Sequence, residues 1–270
     1  MMKEYLKQKL MALKRRIKYS LLAQRSIAPW IPNEFVYSAC RYSKMHFPDI
    51  PVGAVEHYSQ CGEDLIVRGL LKAIAMRTGI SLKEKLFLEV GGNHAFATSS
   101  SYLLSRTCEM KGAIVEANEK LIPDLKRGRP NDEIIYGAVQ DQDVTHVAFS
   151  ISNLSEISSI DSKFVANWGQ GRSREVTRIQ VPALRMNDLL GNRMRGDDVV
   201  YLSIDVEGMD LLLLKDIDFA RYRPWIVQAE PSDYHILGNS KSICEYMDSV
   251  GYQLMAATDV NLIFCDRKIV

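Results

Sequence analysis

From Tyr58 onward, short apolar runs alternate with segments of helical apolar spacing, and this alternation limits the fold more than any other feature of the chain. Residues 62–77 carry apolar residues at helical spacing (Leu65, Leu70, Leu71, Ile74) and predict a helix. A strand at 85–90 ends in Gly91-Gly92, and a helix is expected through 98–106. A strand at 112–116, a helix over 118–127 and a strand at 133–139 follow. A β-rich stretch places strands at 146–151 and 176–181. A short helix over 184–190 then leads to a strand at Val199–Ile204, a helix at 209–216 and a strand at 224–230. The chain closes with a helix at 240–250 and strands at Tyr252–Ala257 and 261–265. Strands alternating with helices imply a parallel sheet with right-handed crossovers. The last two strands are joined by too few residues for a crossover, so they must pair antiparallel.

Composition narrows the function. Of the 270 residues, 47% are hydrophobic and 25% charged, the balance of an ordinary globular domain. The five cysteines are dispersed without C-x-x-C spacing, which argues against a disulfide framework and a structural zinc site. Together with a start that lacks the shape of a secretory signal, this predicts a cytoplasmic protein. Residues 1–25 carry eight Lys/Arg against Glu4 alone, while the whole chain is only +1, so the remainder is acidic. An acidic body excludes a broad nucleic-acid groove. Within the opening segment Leu6, Leu10, Leu13, Ile17 and Leu21 form one apolar stripe among basic residues. That is a basic amphipathic helical arm, suited to packing on the main domain or a second subunit, or to lying peripherally on the inner face of a membrane. Residues 26–57, with Pro29, Pro32, Pro48 and Pro51, read as a connector, and residues 58–270 as the main domain.

The chemistry gathers at strand ends. Phe87-Leu88-Glu89-Val90-Gly91-Gly92-Asn93-His94 is a strand running into a glycine turn. Such a turn brings a ligand close to the backbone at a sheet's carboxyl edge, where nucleotide-type ligands bind. It lacks the G-x-G-x-x-G spacing of dinucleotide sites. Glu116 ends the next strand, where a carboxylate can accept both ribose hydroxyls. Tyr201-Leu202-Ser203-Ile204-Asp205-Val206-Glu207-Gly208 puts two carboxylates at the end of a further strand, facing the same pocket, and Glu230 ends the strand after it. Asp205 is the candidate general base. The same carboxylates can hold a divalent cation, or simply cap a helix; no metal is predicted. Ser59, Gln60, Glu63 and Asp64 precede a helix and are candidates for capping or for ligand contact. His57, His94 and His235 lie beside these segments, and His235 and His57 stand behind Asp205 as alternative bases.

In these residues the chain resembles the FkbM-type methyltransferase family. The matches are Ser59-Gln60 with Glu63-Asp64, the glycine turn, Glu116, Ala138-Val139, Asp205-Val206-Glu207-Gly208, and Arg223-Pro224 leading to Glu230, in order over residues 58–266. Glu89 stands where the family usually has Asp, Gly92 where it has Ala, and Ala95 where it has Gly. The resemblance implies a Rossmann-like class I methyltransferase fold, a mostly parallel doubly wound sheet ending in an antiparallel hairpin. It implies S-adenosylmethionine as cofactor, with Gln60, Glu89, Gly91, Gly92, Asn93, Thr98, Glu116, Ala138 and Val139 as its contacts. It further implies methylation of a hydroxyl on a sugar or glycan-related acceptor. Residues 150–175, rich in Ser and Asn and containing Trp168, would shape the acceptor site. Two other classes stay open at this point: a Rossmann oxidoreductase using a nicotinamide dinucleotide, and a methyltransferase-like binding module without catalysis.

Overall fold

The structure is a computed structural model that describes residues 57–270, apart from residues 171, 194–197 and 270. The predicted arm at 1–25 and the connector, save His57, lie outside the described residues.

Seven strands form one sheet in the order β3-β2-β1-β7-β8-β10-β9. They are β1 (Leu86–Val90), β2 (Lys111–Glu116), β3 (Glu133–Tyr136), β7 (Val199–Ile204), β8 (Ile226–Ala229), β9 (Tyr252–Ala257) and β10 (Leu262–Asp266). Neighbours from β3 to β8 run parallel, while β10 is antiparallel to both β8 and β9. The order reverses between β1 and β7, the switch point at which open sheets leave a crevice.

Alternation along the strands fills a layer on each face. Leu88, Val90, Leu202, Ile204 and Val227 pack with Leu213 and Leu214 of α6 (Asp210–Asp216) and Ile243 and Met247 of α7 (Asn239–Ser249). Phe87, Ile114, Tyr201 and Ile263 pack instead with Val67, Leu71 and Ile74 of α1 (Glu63–Thr78), Leu104 of α2 (Tyr102–Cys108) and Leu125 of α3 (Ile122–Gly128). Gly79, left-handed at φ 72°, stops α1 and returns its N–H to the Ala75 carbonyl at 2.9 Å. Every residue of β7 is buried, as a central parallel strand between two helical layers requires.

Several expectations shift. The helix expected over 118–127 begins at Ile122. The run at 133–139 is not one strand. It breaks at Gly137, and Ala138–Val139 becomes β4, paired with β6 (Glu175–Leu184) in a second sheet of order β4-β6-β5, with β5 at His146–Ser152. A Cβ on Gly137 would lie 2.8 Å from the Leu184 side chain, so only glycine lets the chain cross between the sheets there. The helix expected from residue 98 begins at Tyr102. Thr98 is left-handed (φ 63°), and the serines after it are held by side chains of other elements instead of by a helical ladder. Between β5 and β6 lie α4 (Ser162–Asn167), capped by Asp161 on the N–H groups of Lys163 and Phe164, and then Trp168. After β6, α5 (Met186–Asp188) runs into a π-helical turn at Leu189–Arg193.

Candidate active site

The ends of β1, β7 and β8 lie side by side. Asp205 N–H donates to the Val90 carbonyl at 3.0 Å, and Glu230 N–H donates to the Ile204 carbonyl at 3.3 Å. Gly91, left-handed at φ 93°, passes so close to Asp205 that a Cβ there would sit 1.8 Å from the Asp205 carbonyl oxygen. The turn is therefore glycine because the neighbouring strand end occupies the space. Gly92 is packed against Ile114, 2.3 Å from a built Cβ. Both glycine N–H groups donate to the Val115 carbonyl at 3.0 Å, which ties the turn to β2 as well.

Glu116, at the end of β2, is only 7% exposed. Its carboxylate accepts from the N–H of Asn93 at 2.8 Å and of Asn118 at 2.6 Å. It thus anchors the turn, and Asn93 keeps a left-handed backbone (φ 36°) beside it. Burial pushes the Glu116 carboxyl above its usual range, against the pull of those N–H groups. A carboxylate oxygen can accept more than one donor, so Glu116 keeps acceptor capacity beyond these backbone N–H groups. The Gly137 N–H donates to the Glu116 carbonyl at 3.0 Å, which brings Ala138 and Val139 alongside, with both side chains buried.

Asp205, Glu207 and Glu230 offer carboxylate oxygens that all lie within 4.8 Å of one another. Asp210, fully buried at the start of α6, stitches the two strand ends together: its carboxylate accepts from Glu230 N–H at 2.9 Å and Val206 N–H at 3.5 Å. Among the described residues, no lysine or arginine pairs with any of these four carboxylates. Burial, then mutual repulsion, drives Glu207 and Asp210 toward the protonated form. For Asp205 burial dominates and moves the carboxyl up to about 6, with a hydrogen bond from Glu230 opposing the rise. Burial first, then the nearby carboxyls of Asp205 and Asp210, carry Glu230 up to about 10. The cluster therefore holds protons at neutral pH, and Asp205 is the member that gives its proton up first.

The β5–β6 unit closes over this edge. Ser159 Oγ donates to the Glu207 carbonyl at 3.1 Å, and Phe164 packs where a Cβ on Gly208 would stand, at 2.7 Å. Phe164 meets the His235 ring edge-on at 5.2 Å between centroids, and Trp168 stacks on it at 5.7 Å. His235 thus forms part of an aromatic stack, and burial lowers its pKa.

Other sequence-derived candidates sit differently. Glu89 is 4% exposed and its carboxylate is taken up internally, by Ser99 Oγ at 3.2 Å, Ser100 N–H at 2.8 Å and Ser101 Oγ. Thr98 is exposed, its hydroxyl donating to the adjacent Ala97 carbonyl at 2.6 Å. Gln60 is half-buried. Asp64 folds back on the chain before α1, accepting from Tyr58 N–H at 2.7 Å and Ser59 Oγ at 2.8 Å. Glu63 accepts from Cys61 N–H at 2.8 Å and from Thr258 Oγ1 at 2.6 Å. His57 is 3% exposed, and burial lowers its pKa to about 4. Asp210 and Arg129 escaped the reading of the sequence. Asp210, two residues beyond Gly208, had only its nearness to the acidic run to mark it, and Arg129 had no local signal.

The order of the strands, the glycine turn at the switch point and the acidic ends of β2, β7 and β8 define a Rossmann-like class I methyltransferase fold. The model of the family described as "Methyltransferase FkbM domain" matches residues 89–254, and the chain belongs to that family. It is accordingly an S-adenosylmethionine-dependent methyltransferase by family, which sets aside the nicotinamide reading. Solved structures similar to it include a provisionally assigned caffeoyl-CoA O-methyltransferase from Staphylococcus aureus, at 12% identity and a TM-score of 0.41, covering 94% of this chain and 99% of that one. Another is a TehB-like SAM-dependent methyltransferase from Corynebacterium glutamicum, at 10% identity and a TM-score of 0.38, covering 87% of this chain and 100% of that one. No curated protein sequence matches.

The residues present suit the methyl donor. Glu116 supplies a carboxylate at the end of β2 with lone pairs to spare, and the turn gives backbone at close range beside it. Among the described residues, no helix is long and apolar enough to cross a membrane.

Proposed function

We propose that this methyltransferase transfers the methyl group of S-adenosylmethionine to a hydroxyl of a sugar or glycan-related acceptor, with Asp205 as general base. The observation that carries the reading is the placement of Asp205. Its carboxylate stands among Glu207 and Glu230, and its backbone touches the glycine turn. The cofactor supplies an activated methyl group when bound. The chain has to align the acceptor oxygen, exclude water and receive the hydroxyl proton. A carboxylate that ionises near 6 is free to take that proton at neutral pH. Glu116 would hold the ribose, and the turn at Gly91, Gly92 and Asn93 the methionine end. The sugar assignment follows from the family resemblance; the half-buried Trp168, stacked on His235, adds an aromatic ring to the unit that closes over the acidic strand ends. His235, with its pKa lowered and its ring between Phe164 and Trp168, suits lining of the acceptor site better than proton removal. His57 is too buried to meet a bulky acceptor. The scattered cysteines fit an intracellular location, with residues 1–25 docking on a membrane surface or a partner.

The test is transfer of labelled methyl from S-adenosylmethionine to a panel of mono- and oligosaccharides, by the parent and by Asp205→Asn. Loss of general-base catalysis predicts a fall of about 10²–10⁴-fold in turnover with donor affinity nearly unchanged. The cluster also has the donor set of a cation site, so the parent is assayed with and without chelator. Inhibition by chelator would make Asp205 a ligand. Full activity of Asp205→Asn would exclude both roles.

A further inference from the structure

Arg129 stands in the loop between α3 and β3, 2% exposed. Its Nε donates to Asp132 Oδ2 at 2.8 Å. One terminal nitrogen, Nη1, donates to the Ala95 carbonyl at 3.3 Å and to Ser99 Oγ at 3.1 Å. The other, Nη2, donates to Ser101 Oγ at 2.8 Å and to Ser105 Oγ at 3.2 Å. A guanidinium has five N–H donors, and these contacts employ them all. Glu89 lies 4.0 Å from Nη1, and the rings of Phe87 and Tyr102 flank the group at 5.6 and 5.3 Å.

Apart from Asp132, every hydrogen-bond partner belongs to the segment that leads from β1 through the glycine turn into α2. That segment is left-handed at Gly91, Asn93 and Thr98, two of them residues with a side chain. Such conformations persist only where the surroundings over-determine them. Glu116 fixes the segment at Asn93. Arg129 fixes it from Ala95 to Ser105, and Glu89 takes Ser99 and Ser101 from the other side, together with the Ser100 N–H. Ser100 Oγ also accepts from Gln228 Nε2 at 3.0 Å, which ties the serine run to β8.

We propose that Arg129 is a positioning residue for the methyl donor: acting through Glu89 and the serines at 99, 101 and 105, it holds the glycine turn in the shape that receives the cofactor. The proposal rests on the reading of that turn as the donor site. Charge is central to it. Burial already raises the Glu89 carboxyl against the pull of Arg129; removing the cation pushes it further toward the protonated form, in which it donates where it now accepts. The serine network would then rearrange beneath the turn. Lysine keeps the charge but not the planar fork, so it can satisfy only part of the set.

The experiment is calorimetric titration of S-adenosylhomocysteine into the full chain, with Arg129→Met, Arg129→Lys and Ser105→Ala, each at a temperature where circular dichroism shows it fully folded. Affinity should fall by about tenfold or more in Arg129→Met, the loss expected for one charge-assisted contact. It should fall less in Arg129→Lys, and least in Ser105→Ala, which loses one contact of the five. If Arg129→Met does not fold, the ordering of parent, Ser105→Ala and Arg129→Lys decides. Folded variants that bind as tightly as the parent, with only their melting temperatures lowered, would overturn the proposal and leave Arg129 a structural residue. A parent chain that fails to bind S-adenosylhomocysteine would overturn the donor-site reading and the proposal with it.

Discussion

Gly91→Ala tests whether the close approach of β1 and β7 builds the site. Gly91 sits at φ 93°, where a residue with a Cβ pays roughly 1–2 kcal/mol. The new methyl would also lie 1.8 Å from the Asp205 carbonyl oxygen, which is backbone and cannot rotate away. Ordinary contact needs well over 3 Å, so the strand ends must separate. The Asp205 N–H bond to the Val90 carbonyl at 3.0 Å is then lost, at about 1 kcal/mol. The two effects sum to about 2–3 kcal/mol before any repacking. For a domain of this size that is a fall of roughly 4–12 °C in melting temperature. Gly92→Ala is the control. Its methyl would meet Ile114 Cγ2, a side-chain atom that can give way, and Gly92 has an ordinary backbone, so overpacking of about 1–3 kcal/mol, relieved where Ile114 turns, is the only cost. Thermal melting and titration with S-adenosylmethionine on both variants give the comparison. Gly91→Ala should lose stability and donor affinity together, and Gly92→Ala should lose less of each. Equal effects in the two variants, or parental affinity in Gly91→Ala, would refute the idea that the Gly91–Asp205 contact shapes the site.

Glu116→Gln removes the charge that would accept the ribose hydroxyls and, because its amide NH2 cannot accept, gives up one of the two backbone N–H bonds of the anchor, to Asn93 or Asn118. A charge-assisted bond contributes about 1.5–3 kcal/mol, so the dissociation constant for S-adenosylmethionine should rise by about tenfold or more, and an unchanged value by calorimetry would leave Glu116 as an anchor only. Removal of residues 1–25 should leave donor affinity unaltered, since every donor-site residue named above lies beyond Tyr58. A truncated chain that folds but no longer binds the donor would contradict that placement.

Much of the architecture could be read from the sequence because it rests on periodicity. The strands at Val199–Ile204 and Tyr252–Ala257 have the residues expected from their patterns, and the short link before β10 forces the antiparallel ending. What periodicity missed follows from contacts distant in sequence. The run at 133–139 keeps its apolar pattern across Gly137, so the break into a second sheet depends on Leu184 closing the space. The serines after Thr98 suit a helix locally, but Glu89 and Arg129 claim them. The acidic strand ends were visible as DVEG and as Glu230. Their meeting with Asp210, and the stacking of Trp168 on His235, arise only from packing. Glu116 likewise reads as a bare ligand group in the sequence, whereas the fold gives it a second task on Asn93 and Asn118.

The proton held between Asp205 and Glu230 yields the sharpest remaining expectation. Burial, and then the carboxyls of Asp205 and Asp210 beside it, push Glu230 up to about 10, so it is protonated at neutral pH and can donate to Asp205, which ionises near 6. Two carboxylates in one pocket separate in this way because both cannot be charged at once. Both values lie above the ordinary carboxylate range. The folded chain therefore binds more protons than the unfolded one, and the contribution of the pair to stability is full below about 4 and is lost as pH rises, first through about 6 and then toward 10. Glu230→Gln keeps a neutral donor beside Asp205. An NMR titration of the aspartate side-chain carboxyls should then find Asp205 still ionising near 6. Glu230→Ala removes the donor, and the Asp205 midpoint should rise, because burial remains and the hydrogen bond that stabilised its charge is gone. A midpoint that falls in Glu230→Gln would mean that Glu230 carries the charge in the parent. The general base would then have to be sought in Glu230 instead of Asp205.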